Sequence, residues 1–242
     1  MAEGLNIRNG QISLQDGDRR FRLEITSLTI SPGQAVALTG ASGSGKTLML
    51  ELLGLLRPPG PGTCYQWTSQ GERSDLASLW ENGPRSGPLA KQRGALFGFV
   101  PQTGGLLPFL TVRENIQLPQ KLNNTPDDGW ITELTTRLGL NDVTNLYPGA
   151  LSIGQRQRTA IARALSHRPP FIIADEPTAA LDPDTADIVL QLLLDASARL
   201  GSGVILSSHD VARINRFNIP RLTLISETRG QTITSRLEAT PC

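Results

Sequence analysis

The run Gly40-Ala41-Ser42-Gly43-Ser44-Gly45-Lys46-Thr47 sets three glycines and one lysine in a stretch with almost no side chains. Glycine at 40, 43 and 45 permits dihedrals that turn successive backbone N–H groups toward one point, which is how a loop cradles phosphate. In that arrangement Lys46 reaches the β and γ phosphates of a nucleotide, and the Thr47 hydroxyl binds Mg²⁺. A Gly/Ser-rich linker is the plain alternative. A linker, however, does not join an apolar strand to an apolar helix.

The segment Phe171-Ile172-Ile173-Ala174-Asp175-Glu176-Pro177 is an apolar run that ends in two acids. A carboxylate at a strand end lies at the crevice where α/β sheets bind ligands, so Asp175 is placed to hold Mg²⁺ through water. Glu176 is then placed to polarise an attacking water. An exposed acid pair with no role is the alternative. A third element, Leu151-Ser152-Ile153-Gly154-Gln155, precedes a helical stretch. Free N–H groups and the macrodipole make a helix start an anion site, so Ser152 and Gly154 read as a second phosphate contact or as a simple N-cap.

These residues need a scaffold. Residues 5–31 alternate apolar and polar positions about the turn signal Asp16-Gly17-Asp18, as strands of an antiparallel sheet do. A short strand over Ala35–Leu38 leads into the glycine loop, and a buried helix follows Lys46 until Pro58. Residues 58–95, rich in Pro, Gly and Ser, read as a loop-rich excursion with one short helix near Asp75–Trp80. From Thr111 to Leu140 helical periodicity is broken by Pro119 and Pro126, which suggests a small helical lobe. Strands at Phe171–Asp175 and Gly203–Ser208 flank a helix at about 184–200. The fold class is therefore α/β, with a mostly parallel sheet covered on both faces. A hairpin turning at Arg229-Gly230 ends the chain.

At 242 residues and 38% hydrophobic content the chain can bury one sizeable core. A net charge of +1 gives no whole-protein field for nucleic acid or an anionic membrane. The two cysteines, Cys64 and Cys242, stand far apart without metal-ligand spacing, which fits a reducing compartment. The N-terminal stretch has no apolar signal core and no run approaches the roughly 18 apolar residues of a membrane span. The expectation is a cytosolic protein, which leaves docking on a membrane protein open.

Taken in order, the phosphate loop at 40–47, Gln102 in FVPQ, LSIGQ at 151–155, FIIADE at 171–176, AALD at 179–182 and His209 after VILSS resemble the nucleotide-binding subunit of an ATP-binding cassette (ABC) transporter. The resemblance spans nearly the whole chain. It implies a P-loop NTPase core over 1–102 and 151–242, an N-terminal antiparallel β subdomain, and a helical subdomain over about 103–150. It implies ATP and Mg²⁺, with Gln102 sensing the metal and the attacking water, and His209 on the γ-phosphate beside Glu176. It further implies a head-to-tail pair of subunits, a homodimer, in which Ser152, Gly154 and Gln155 complete the opposite site and Asp182 crosses the interface. An integral membrane permease on the inner face of the cell membrane is the implied partner, with no role for nucleic acid. TGGLLPFLTVREN after Gln102 would form the surface that faces it.

Two positions depart from the family pattern. Ile153 stands where a glycine is usual. The adenine-stacking aromatic of the N-terminal sheet has no counterpart in place: Leu14 lies near its position, and Phe21 is the nearest aromatic. GGLLPFLTVRENI resembles the subfamily of lipoprotein release and macrolide export, which suggests export or cell-envelope transport. The alternative function is a non-transport ABC ATPase that regulates a membrane complex such as a cell-division assembly. His167 reads as a helix cap with no catalytic role.

Overall fold

The computed structural model describes residues 3–239; Cys242 lies outside them. Ten strands form one mixed sheet in the order β5-β4-β1-β2-β10-β9-β3-β8-β7-β6. The strands are β1 (Gly4–Asp16), β2 (Arg19–Ile30), β3 (Ala35–Gly40), β4 (Cys64–Ser69), β5 (Glu72–Asp75), β6 (Phe97–Val100), β7 (Phe171–Ala174), β8 (Gly203–Ser207), β9 (Arg221–Arg229) and β10 (Thr232–Ala239). The half that carries the chemistry, β9-β3-β8-β7-β6, is parallel. The other half, β5-β4-β1-β2, is antiparallel, and the β9–β10 hairpin joins the two by pairing β10 in parallel with β2.

The central strands alternate their side chains between two cores. Val36 and Leu38 of β3, Phe171 and Ile173 of β7 and Ile205 of β8 enter one cluster with α1 (Lys46–Leu53). Ala37, Ile172, Ala174, Val204 and Leu206 enter the other, with α3 (Val112–Asn123), α4 (Asp128–Arg137), α5 (Ile153–Leu165) and α6 (Pro183–Leu200). Apolar residues on both faces are what a doubly covered parallel sheet requires. Complete burial of Phe171 alone is worth about 2–3 kcal/mol. The remaining helices are α2 (Gly87–Leu96) and α7 (Val211–Arg216).

Three expectations about elements change. Residues 58–95 keep the expected short helix, a 3₁₀ turn over Ser78–Trp80, but hold β4, β5 and α2 rather than a loop-rich excursion. β4 exists because β1 offers an edge, with Ile7 opposite Tyr65 and Leu5 opposite Trp67. α2 starts at a proline in its first turn and buries only Leu89 and Leu96, so no periodic stripe marks it in the sequence. Helix α3 runs through Pro119; the break comes at Asn124, which is left-handed, just before Thr125-Pro126. A reciprocal capping box between Thr111 and Glu114, with Val112, Asn115, Ile116 and Gln120 buried, offsets the one hydrogen bond that Pro119 removes. Helix α1 stops at Leu53, capped by Gly54, well before Pro58.

Candidate functional site

β3 delivers the chain into the glycine loop, and the loop opens α1 at Lys46. Gly40, Gly43 and Gly45 take φ of 149°, 75° and 91°, in the region that favours glycine. Gly45 is fixed twice over, since a Cβ there would also stand 2.7 Å from the Phe21 ring. Lys46 is buried and donates to the carbonyls of Gly40 (3.0 Å) and Ala41 (3.1 Å), which curls the loop around its ammonium. Burial pulls that ammonium below its ordinary pKa, while the carboxylates of Glu176 and Asp175 oppose the shift. From the C-terminal hairpin, the buried Ser235 hydroxyl donates to the Ser44 carbonyl at 2.6 Å and anchors the far side of the loop.

The end of β7 brings the acids to the same place. Thr47 Oγ1 donates to Asp175 Oδ2 at 2.7 Å, joining the first turn of α1 to a carboxylate that is 3% exposed. Glu176 adopts φ 48°, a left-handed conformation that costs a non-glycine residue about 1–2 kcal/mol. Its carboxylate meets His209 Nε2 at 2.7 Å, and its backbone N–H donates to Ser207 Oγ at 2.8 Å. The Ser207 hydroxyl in turn donates to Asp175 Oδ1 at 2.6 Å.

A cleft of about 460 Å³ is lined by Leu14, Phe21, Ser42, Gly43, Gly45–Leu48, Glu51, Arg57, Gln102, Glu176 and His209. Its walls are the glycine loop, Gln102, Glu176 and His209, together with the Leu14 and Phe21 pair, which stand opposite each other on β1 and β2. Thr47 and Asp175 form an all-oxygen pair that fits a hard cation such as Mg²⁺, which takes one or two protein oxygens and fills its remaining positions with phosphate and water. Among the described residues no cluster of three or more His, Cys, Asp or Glu side chains could hold a metal by itself.

Four sequence candidates lie apart from this cleft. Ser152 caps α5: its Oγ accepts from the Gln155 N–H, and Gln155 Oε1 accepts from the Ser152 N–H. Gly154 lies in the first turn of that helix, and Asp182 caps α6 by accepting from the Thr185 N–H. None of the four lines the cleft of its own chain. Ile153 projects into solvent at 64% exposure beside them. Ser207 was not among the candidates. The signal for it is the β7–β8 register, which pairs Ala174 with Leu206 and so sets the next residue pair, Asp175 and Ser207, side by side.

A parallel sheet that feeds a glycine loop into a helix, with a strand-end acid bonded to the threonine of that loop, defines a P-loop nucleotide-binding domain. Comparison with known proteins narrows the class. The family model for the ABC transporter matches residues 23–179. Methionine import ATP-binding protein MetN of Escherichia coli (strain K12) is 38% identical over 197 residues, covering 80% of this chain and 54% of its own length. Its counterpart from Xanthomonas axonopodis pv. citri (strain 306) is 37% identical over 204 residues, 83% of this chain and 58% of that protein. The chain thus spans a little over half the length of these relatives. Over nearly full length it superposes on the dimeric post-hydrolysis structure of the ATP-binding cassette MJ0796 bound to ADP and Pi, with TM-score 0.79, 29% identity and 98% and 99% of the two chains covered. A second dimeric structure of MJ0796 gives TM-score 0.77 at 30% identity. The chain belongs to the ABC transporter family. These relatives do not distinguish the lipoprotein-release and macrolide-export type.

Proposed function

We propose that this chain is the ATP-hydrolysing subunit of a transport system, working as a head-to-tail homodimer on the cytoplasmic face of a membrane permease. The observation that carries this is the convergence of Lys46, Thr47–Asp175 and Glu176–His209 on one cleft. The loop amides and Lys46 bind the β and γ phosphates of ATP, and the Leu14–Phe21 pair packs on its base. Thr47 and Asp175, with Gln102 lining the same cleft, would hold a Mg²⁺ that would neutralise charge at the phosphates. Glu176 takes a proton from water as the water oxygen bonds to the γ phosphorus and the bond to the ADP oxygen breaks, with His209 orienting the carboxylate.

Ser152, Gly154, Gln155 and Asp182 support the two-copy reading, because they sit exposed or half-exposed at helix starts and away from their own cleft. In the dimer of this reading each set closes the neighbour's site; the MJ0796 cassette, which this chain resembles, is itself dimeric in both structures. Residues 103–150, with α3 and α4, form the lobe that faces the permease. Among the described residues no helix is long and apolar enough to cross a membrane; in this reading the permease supplies the link to the bilayer. The relatives' names favour uptake over the export suggested by GGLLPFLTVRENI.

Glu176→Gln tests this reading. Loss of the general base lowers turnover by about 10²–10⁴-fold while ATP still binds, so a doubled particle accumulates on sizing in ATP. A variant that stays monomeric in ATP and turns over at the wild-type rate would refute it.

A further inference from the structure

We propose that Ser207 is a positioning residue that locks the metal-side acid and the general base into one unit. This inference rests on the ATPase reading above. Ser207 ends β8 with no exposed surface, and its single hydroxyl is used in both directions. It donates to Asp175 Oδ1 at 2.6 Å and accepts from the Glu176 N–H at 2.8 Å.

Each bond constrains something the chemistry needs. With Oδ1 engaged by Ser207 and Oδ2 by Thr47 at 2.7 Å, the Asp175 carboxylate cannot rotate, and Oδ2 stays turned toward the phosphate loop. The Glu176 N–H bond holds the backbone of a residue at φ 48°, a conformation that persists only where its surroundings over-determine it. The Glu176 carbonyl is tied by the Ala179 N–H at 3.2 Å and its carboxylate by His209 at 2.7 Å, so the Ser207 bond is the third restraint on the same residue. Val100 O, accepting from the Asp175 N–H at 2.8 Å, fixes that acid's backbone from the opposite strand. The hydroxyl therefore couples the orientation of Asp175 to the backbone of Glu176. A small displacement of either acid costs far more in rate than in binding, because the reacting geometry tolerates little error.

The test compares Ser207→Ala, Ser207→Val and Ser207→Thr with wild type. Val and Thr share one shape, so any cost of the added methyl is common to both, and only Thr keeps the hydroxyl. For Ala and Val we expect kcat to fall about tenfold with KM for ATP within about twofold, and Thr to recover most of the rate. A second readout needs no turnover: affinity for a fluorescent ATP analogue with and without Mg²⁺. In EDTA all four proteins bind alike, whereas the tightening produced by Mg²⁺ shrinks several-fold in Ala and Val and is kept in Thr. Wild-type kcat and Mg²⁺ response in Ala and Val, with Glu176→Gln inactive in the same assay, overturn the inference alone. Equal defects in Thr and Val overturn it too, since shape and not the hydroxyl would then matter. A wild-type chain that binds ATP but hydrolyses none overturns the functional reading along with it.

Discussion

His167 follows α5 and is the one histidine that the site does not use. Burial pushes its imidazole down from 6.5 to about 4, so the folded chain keeps it neutral at pH values where an unfolded chain would protonate it. The sign follows: between those two values the unfolded state binds the extra proton, and stability falls as pH falls. A tenfold change in proton affinity is worth about 1.4 kcal/mol, which sets a ceiling of about 3 kcal/mol, reached near pH 4 and unchanged below it. At pH 5 the loss is about 2 kcal/mol. Urea unfolding of wild type and His167→Leu at about pH 7.5 and pH 5 isolates it, because the titrating carboxylates are common to both proteins and cancel in the difference. The variant's stability should drop by about 2 kcal/mol less than the wild type's over that interval. Parallel pH dependences in the two proteins would show that the ring is already solvated or paired in the native state, and the reasoning would fail.

Lys46→Ala removes a buried charge that is expected to meet the β and γ phosphates, so ATP affinity should fall by about a hundredfold or more in equilibrium titration, and an unchanged affinity would count against the phosphate-loop role. Phe21→Ala should weaken ATP and GTP alike by about tenfold, the loss of one stacked base. In wild type the two nucleotides should differ by less than about tenfold, because Leu14 and Phe21 offer apolar surface without hydrogen bonds to a base edge. A strong preference for ATP by competition binding would place base recognition elsewhere.

Much of the candidate site's geometry was legible because its signals are local. The glycines, Lys46 and Thr47 must follow one another along the chain to wrap one anion, and Asp175 and Glu176 lie at the end of a strand too short and apolar to be anything else. The antiparallel β1–β2 pair and the final hairpin were equally plain, each turning at a glycine, Gly17 and Gly230, with positive φ. What stayed hidden depends on partners distant in sequence. β4 and β5 are strands because β1 presents an edge, and α2 buries too few residues to show a period. Ser207 stood within an apolar strand, and its purpose appears only once β7 and β8 lie side by side. Pro119 misled for the opposite reason: a local breaker was overruled by caps and burial supplied by the rest of α3.

The β9–β10 hairpin lies between β2 and β3 in the sheet, although both of those strands precede it by about 190 residues. On the ribosome, then, the two halves of the sheet emerge long before the piece that bridges them, and each waits with an open flank. The Ser235 strut beneath the glycine loop arrives with that same late piece. Assembly of a finished nucleotide cradle is thereby deferred until that hairpin has been made, and the interval before it is when the nascent chain most needs a chaperone's cover.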